Sequence, residues 1–346
     1  MHHFLFLIFK EKPMYSYQPS PLKLIGLSEA EIMERAVDPK HPFRALNSSL
    51  NLDTIAKQYR HLYSKTGTKG IAIEKAIRLL AVQFLEDFSD REMERAISEN
   101  MAIRWFCGYE LTEETPDHSF FGDFRKRLGT ANLGKIFKTI NDELKRKGLI
   151  GDTFSFIDAT GIVTKTALWE ERDKALALGE EKLNNQNVKK YVADKQARYG
   201  CKGKNKFHFG YKRHHCIDMK QGIITKVAIT PANVLDDQAF KHVCPDQGMA
   251  FLDKGYDTKE AELVAQSKGI HFRAIKKKNR KDKNYDLDAW VSKTRMPEEC
   301  NFSKINKRAR YRGQSKVQFQ AFAQAIAYNI KRLIKVTELR ESFSSA

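Results

Sequence analysis

The sequence predicts an α/β protein in which a mixed sheet with flanking helices is preceded by an all-α amino-terminal domain. Three observations lead there. Apolar residues recur at helical spacing between Leu50 and Leu128, with Ile73, Ile77, Leu80 and Phe84 forming one stripe. At Thr153 to Asp158 (TFSFID) the period changes to that of a short strand rich in aromatic and β-branched residues. Met249 to Leu252 is then a continuous apolar run, the pattern of a strand buried on both faces, and it ends in Asp253 before Lys254, Gly255 and Tyr256 break it.

Taken in order, residues 1–42 read as an irregular lead-in with one short helix from Ser28. Phe4 to Phe9 (FLFLIF) is too short to span a bilayer and lacks a signal cleavage site, so a cytoplasmic protein with no membrane partner is expected. Met14 follows that run, which leaves open that the first thirteen residues are an upstream extension. Residues 43–148 read as a helical domain. Its first long helix ends near Phe88, Ser89 and Glu92 form a capping box, and the next helix carries Met93, Ile97 and Met101 on one side. Pro116 and Asp117 open a third helix, with Phe120, Phe121, Phe124 and Leu128 buried and Arg125, Lys126 and Arg127 beside them. Short helices with tight connections suit either a helix-turn-helix module or a plain bundle.

Residues 149–346 carry the sheet, interrupted by a charged insertion at about 166–206 that ends in a glycine- and lysine-rich loop containing Lys204. Phe207 to Asp218 and Ile223 to Thr230 read as a hairpin turning at Met219 to Gly222. A helix from Asp236 to Val243, the Met249 strand, a helix from Glu260 to Lys268 and a strand from His271 to Ile275 follow. Pro297 is placed to start a further helix, with Glu298 and Glu299 in its first turn. The last helix carries Phe319, Phe322, Ile326, Ile330 and Leu333 on one face, while Asn329, Lys331 and Arg332 are read as facing nucleic acid.

Charge narrows the partner. The chain holds 61 Lys and Arg against 43 Asp and Glu, a formal net charge of +18, which points to a polyanion and first to nucleic acid. Between Arg273 and Lys316, fifteen Lys and Arg face five Asp and Glu, interleaved with Tyr285, Trp290, Phe302 and Tyr311, a mixture that grips phosphates and stacks on bases. Lys212, Lys276, Lys277, Lys278, Arg295, Lys307, Arg310 and Arg312 join the earlier basic residues as candidate DNA contacts. Five cysteines with no CxxC spacing read as reduced thiols.

Two strand-end aspartates and one helix-borne glutamate within so basic a chain suit phosphodiester chemistry. Phosphodiesters repel hydroxide, and a pair of magnesium ions about 3.5 to 4 Å apart overcomes this by serving the attacking and the leaving oxygen. Magnesium takes hard carboxylate oxygens and keeps several waters, so three carboxylates suffice. A strand-end aspartate is also a common turn former or helix cap.

The ordered motifs resemble those of the DDE transposases of bacterial insertion sequences, whose catalytic domain has the ribonuclease H-like fold of the retroviral integrase superfamily. IDAT (Ile157 to Thr160) resembles the first-aspartate motif, and KFHFGYKRH (Lys206 to His214) the strand after the insertion. TPANVLDDQAF (Thr230 to Phe240) and LDKGYD (Leu252 to Asp257) resemble the second-aspartate segment. RMPEECNF (Arg295 to Phe302), RYRG (Arg310 to Gly313) and YNIKRL (Tyr328 to Leu333) resemble the glutamate region, and residues 43–129, especially PDHSFFGDFRKRLG, the amino-terminal domain.

That resemblance implies a metal-binding catalytic triad of Asp158, Asp253 and Glu299 holding two Mg2+ ions, for which Mn2+ can substitute. His214, Asn233 and Asp236 match recurrent family positions, which gives each either a secondary role at the site or a structural one. In the family's tyrosine–arginine–glutamate–lysine signature Arg295 and Glu299 fall in register, but Ser292 stands for the tyrosine and Asn306 for the lysine, with Lys307 one place on. Leu235 stands where many relatives have His, and Glu298 is the reserve glutamate. The implied activity is DNA strand cleavage and strand transfer at insertion-sequence ends. Its partners are the terminal inverted repeats and target DNA, engaged by a homodimer. The alternative is a catalytically inactive transposase-derived DNA-binding protein.

Overall fold

The computed structural model describes residues 27–64, 66, 70–164, 185–186, 188–190, 192–202, 206–299 and 305–344, without the side chains of 202, 206, 295–299 and 339–344. Lys204, Cys300, Phe302 and the FLFLIF run lie outside the described residues.

Local chemistry starts each amino-terminal helix. Ser28 and Glu31 cap one another at the head of α1 (Glu29–Ala36). Pro42 opens α2 (Pro42–Ser49) under a His41 cap, so this proline belongs to a first helical turn, where its missing N–H costs nothing, and not to an irregular lead-in. After α3 (Leu52–Lys57), the Ile73, Ile77, Leu80 and Phe84 stripe is buried along α4 (Ile73–Leu85). The Ser89–Glu92 capping box starts α5 (Asp90–Glu99) as expected. Asn100 then caps a separate helix, α6 (Met101–Cys107), so Met101 does not continue the Met93 and Ile97 face. Asp117 caps α7 (His118–Arg146), which kinks at Gly129, where φ is 69°.

The sheet begins with β1 (Phe154–Val163), which runs past Asp158 to Val163. The expected strand end at Asp158 is corrected by its partner. β3 (Lys206–Asp218) pairs antiparallel with β1 from Ser155↔Asp218 to Val163↔Gly210 and keeps it extended throughout. β2 (Arg198–Lys202), inside the stretch expected to be an insertion, pairs with the first part of β3. β4 (Ile223–Pro231) pairs with the second part, after a turn in which Gly222 takes φ 64°. α8 (Asp236–Val243), β5 (Met249–Leu252), α9 (Lys259–Ser267) and β6 (His271–Ala274) follow, each within a residue of the sequence expectation. β5 pairs parallel with β1, and β6 parallel with β5. The order β4–β3–β1–β5–β6, antiparallel on one side of β1 and parallel on the other, is the ribonuclease H-like mixed sheet, with β2 added at the β3 edge.

The next helix, α10 (Tyr285–Glu299), starts a dozen residues before Pro297. Asn284 caps it by accepting the Leu287 amide at 3.0 Å, and Asp286 and Asp288 occupy its first turn. Pro297 and Glu298 therefore stand near its end, and Glu299 is its last residue.

Alternation along the strands gives the sheet two unlike faces. Ile157, Cys216, Ala228 and Leu252 form a cluster with Phe240 and Val243 of α8 and Ala261 and Ala265 of α9. Phe156, Ile217 and Val227 join a larger core that runs without a break from Phe43 to Leu333. Its shared wall is α11 (Gln314–Ser344), which packs on α2, α4, α7 and β4. Asn329 is buried in this wall and does not face nucleic acid: it falls at helical spacing with Ile326 and Leu333. It accepts the Ile224 amide at 2.9 Å and donates to Asn141 Oδ1 at 2.9 Å, joining α11, β4 and α7. Arg332 is likewise engaged inward, on the Gln221 carbonyl at 2.8 Å, whereas Lys331 is exposed. Among the described residues no helix is long and apolar enough to cross a membrane.

Candidate active site

Parallel pairing of β1 with β5 sets Ile157 opposite Leu252, so the next residue on each strand is an aspartate, Asp158 on one and Asp253 on the other. Neighbouring strands lie about 4.8 Å apart, and side chains at matched positions point the same way. Both aspartates are half-buried. Because Ile157 and Leu252 turn into the α8–α9 cluster, the aspartates share the opposite face with Phe156 and Phe251. Asp253 follows directly on β5 and precedes a single turn at Lys254–Tyr256. Across β1 on the other side, Asp158 is matched with His215, whose complete burial drives its pKa well below the usual value.

Glu299 stands on a chain segment with two fixed points. Upstream, the Trp290 ring of α10 meets the Phe251 ring edge-on at 5.6 Å, two residues before Asp253. Downstream, the Val163 amide donates to the Lys307 carbonyl at 2.8 Å and the Ala309 amide to the Val163 carbonyl at 2.9 Å, five residues beyond Asp158. Glu299 lies between these anchors in the chain; its side chain, with those of Glu298 and Arg295, is outside the description. Among the described residues no three His, Cys, Asp or Glu side chains form a metal-holding group. The two described carboxylates offer hard oxygen donors from adjacent rigid strands, the donor type that fits magnesium.

A basic loop is tied down directly behind Asp253. Burial alone would raise the Asp257 carboxyl, but the Lys277 amide at 3.0 Å and Arg280 Nε at 2.9 Å outweigh it and hold the group below the usual carboxylate range. Asp257 stands in the LDKGYD motif, yet nothing in the motif distinguishes this anchor from a ligand. Lys276 also leans on Asp257 and on Asp282, the latter at 3.0 Å, while Lys278 is exposed.

The secondary residues divide. Asp236, first in α8, pairs with Lys212 at 2.8 Å, and Lys212 also donates to the Val234 carbonyl at 2.7 Å. A Cβ on Gly255 would lie 3.4 Å from Asp236 Oδ2, so this pair adjoins the turn after Asp253. His214 faces the α8 side, fully buried, with Nε2 2.9 Å from Thr230 Oγ1, and burial pushes its pKa down to about 4. Asn233 is exposed in the turn before α8.

The remaining candidate DNA contacts separate by partner. Lys126, Lys307 and Arg312 are exposed, and Arg127 lies over the Tyr63 ring at 4.6 Å. Arg125 is engaged internally: it grips Asp90 with two bonds, 2.7 and 2.6 Å long, and covers the Tyr311 ring at 4.9 Å. Arg310 is held by Asp87 and by the Phe88 carbonyl at 2.7 Å. A basic run in sequence reports charge but not the carboxylate that answers it, which is why both arginines read as free cations.

Two family models match the chain: Transposase domain (DUF772) over residues 31–127 and Transposase DDE domain over residues 150–330. Among solved structures, the chain is similar to one described as "Cryo-EM structure of piggyBac transposase synaptic complex with hairpin DNA". The TM-score is 0.39 and the identity 9%, covering 93% of this chain and 78% of that chain. The DDE match takes in more than half of the sequence and contains the β1–β5 aspartate pair, α10 and the segment bound to Val163. On that match the chain belongs to the transposase DDE domain family.

Proposed function

We propose that this transposase hydrolyses a phosphodiester at each end of its insertion sequence, freeing a 3′-hydroxyl, and that the same site then directs this hydroxyl onto target DNA. The observation that carries the reading is the register of β1 with β5, which sets two aspartates side by side on rigid strands. In this reading Asp158, Asp253 and Glu299 hold two Mg2+ ions. A metal held there would stabilise the charge that develops when water or a hydroxyl displaces a phosphate oxygen.

The protein's own part is to orient and to grip. Rigid strands fix the two aspartates, and the anchors at Phe251 and Val163 limit where Glu299 can stand. Exposed Lys126, Lys278, Lys307 and Arg312 give phosphate contacts that position the duplex without reading its sequence. Sequence reading falls to helices between Leu50 and Leu128, one of which enters a major groove. Two copies of the chain acting together would serve the two ends.

The test is to incubate the protein with Mg2+ and duplex DNA carrying its own flanking repeats. A nick at the repeat boundary that exposes a 3′-hydroxyl supports the reading. Tight binding without any metal-dependent cut would instead favour a transposase-derived DNA-binding protein.

A further inference from the structure

Residues 305–314 form a strap held from four sides. β1 binds it through the two Val163 bonds. α11 binds it through Gln320, which accepts the Arg310 amide at 2.8 Å and donates to the Arg308 carbonyl at 2.8 Å. The stretch leading into β2 binds it through buried Asp194, which accepts the Gly313 amide at 2.9 Å, and through Gln196, which accepts the Gln314 amide at 2.6 Å. From the amino-terminal helices comes the α4–α5 turn. Arg310 Nη2 donates to the Asp87 carbonyl at 2.6 Å and also to its carboxylate, Nη1 donates to the Phe88 carbonyl at 2.7 Å, and Asn306 Nδ2 donates to Asp87 Oδ2 at 3.0 Å. Asp87 makes these contacts at φ 57°, one of two non-glycine residues with positive φ among the described residues. A left-handed aspartate is uncommon and persists where surrounding contacts fix it.

We propose that Arg310 is a positioning residue for Glu299: clamped on Asp87 and Phe88, it fixes the strap against β1 and thereby sets where Glu299, which precedes the strap in the chain, meets the aspartate pair. The inference rests on Glu299 being the third carboxylate. It assigns Arg310 a role inside the protein in place of the DNA contact its charge suggests. It also gives the amino-terminal helices, proposed to read DNA ends, a direct mechanical hold on the active site. A strap loosened by about 1 Å is enough to cost on the order of 100-fold in rate when a reacting group depends on it.

Two variants test this in the full chain. Arg310→Ala removes the clamp, and Asp87→Gly keeps a left-handed turn while deleting the carboxylate. Without DNA or metal, hydrogen–deuterium exchange at the Val163 and Ala309 amides is expected to quicken by about tenfold or more in Arg310→Ala and by less in Asp87→Gly. With Mg2+ and end DNA, kcat falls by about tenfold or more in Arg310→Ala while KM for DNA stays within about twofold, and Arg310→Lys recovers part of the rate. Unchanged exchange at both amides overturns the clamp. Faster exchange with unchanged kcat overturns its role in placing Glu299. A raised KM with a salt slope lower by about one unit makes Arg310 a phosphate contact and overturns the proposal as well. If Glu299→Ala cuts at the wild-type rate, the active-site reading fails, and the exchange measurement alone still judges the clamp.

Discussion

Ile157 and Leu252 are register partners on adjacent parallel strands, both fully buried, and each is followed by one of the two aspartates. The apolar pair is the foundation of the polar one. Leu252→Ala leaves a cavity between the sheet and α8 and is expected to cost about 2–5 kcal/mol of stability, read as a lower denaturant midpoint. A variant as stable as the parent would show that this register is not held by burial.

Salt dependence should separate exposed cations from internal ones. Lys278→Ala, Lys307→Ala and Arg312→Ala together are expected to lower the log–log salt slope of DNA binding by about three units, nearly one per lost phosphate contact. Arg125→Ala should leave the slope alone and lower stability, since it strands Asp90 without its guanidinium. A flattened slope in Arg125→Ala would contradict the assignment.

The Asn329–Asn141 link predicts a purely structural phenotype. Asn329→Ala leaves the Ile224 amide and Asn141 Oδ1 without this partner in the core, at a cost of about 1–3 kcal/mol. DNA affinity at fixed salt should not change in protein that remains folded, and a loss of affinity would return Asn329 to the DNA-facing surface.

Acid sensitivity follows from His214. Burial pushes its pKa down to about 4, against an unfolded value of about 6.5, so the unfolded chain binds the extra proton between those pH values. Nearby Asp236 raises the pKa, and Lys212 and His242 lower it further. His215 shifts in the same direction through burial, then Arg213 and His214. The stabilising contribution is full above about pH 6.5 and is lost as pH falls toward about 4. Denaturant midpoints measured from pH 7 to 4.5 should decline, and less steeply in His214→Gln. An equal decline in both proteins would remove His214 from the account.

Much of this architecture was legible in the residues because local rules and tertiary structure agree. The Ser89–Glu92 box and the Asp236–Val243 helix carry their own start signals, and the apolar run ending at Asp253 states its burial on two faces. Misreadings arose where a distant partner decides. β1 continues past Asp158 because β3, some fifty residues on, pairs with it to Val163. Pro297 looks like a helix start in isolation, but Asn284 had already begun that helix. Arg125 and Arg310 read as free cations until Asp90 and Asp87 are placed beside them. Asn329 is polar in sequence and buried in fact, because its two hydrogen-bonding partners come from α7 and β4. For the candidate site, the motifs point to the two aspartates, while their side-by-side placement depends on the β1–β5 register that no single segment encodes.

The central claim is that Asp158 and Asp253 act together on a phosphodiester, and single-turnover cleavage of labelled end DNA in Mg2+ tests it most directly. Asp158→Ala and Asp253→Ala should each reduce the cleavage rate by about 1,000-fold or more, the double variant should lose little beyond either single one, and DNA affinity should hold, because residues that work as a unit are not additive. Cleavage that survives either substitution at the parent's rate would contradict the account.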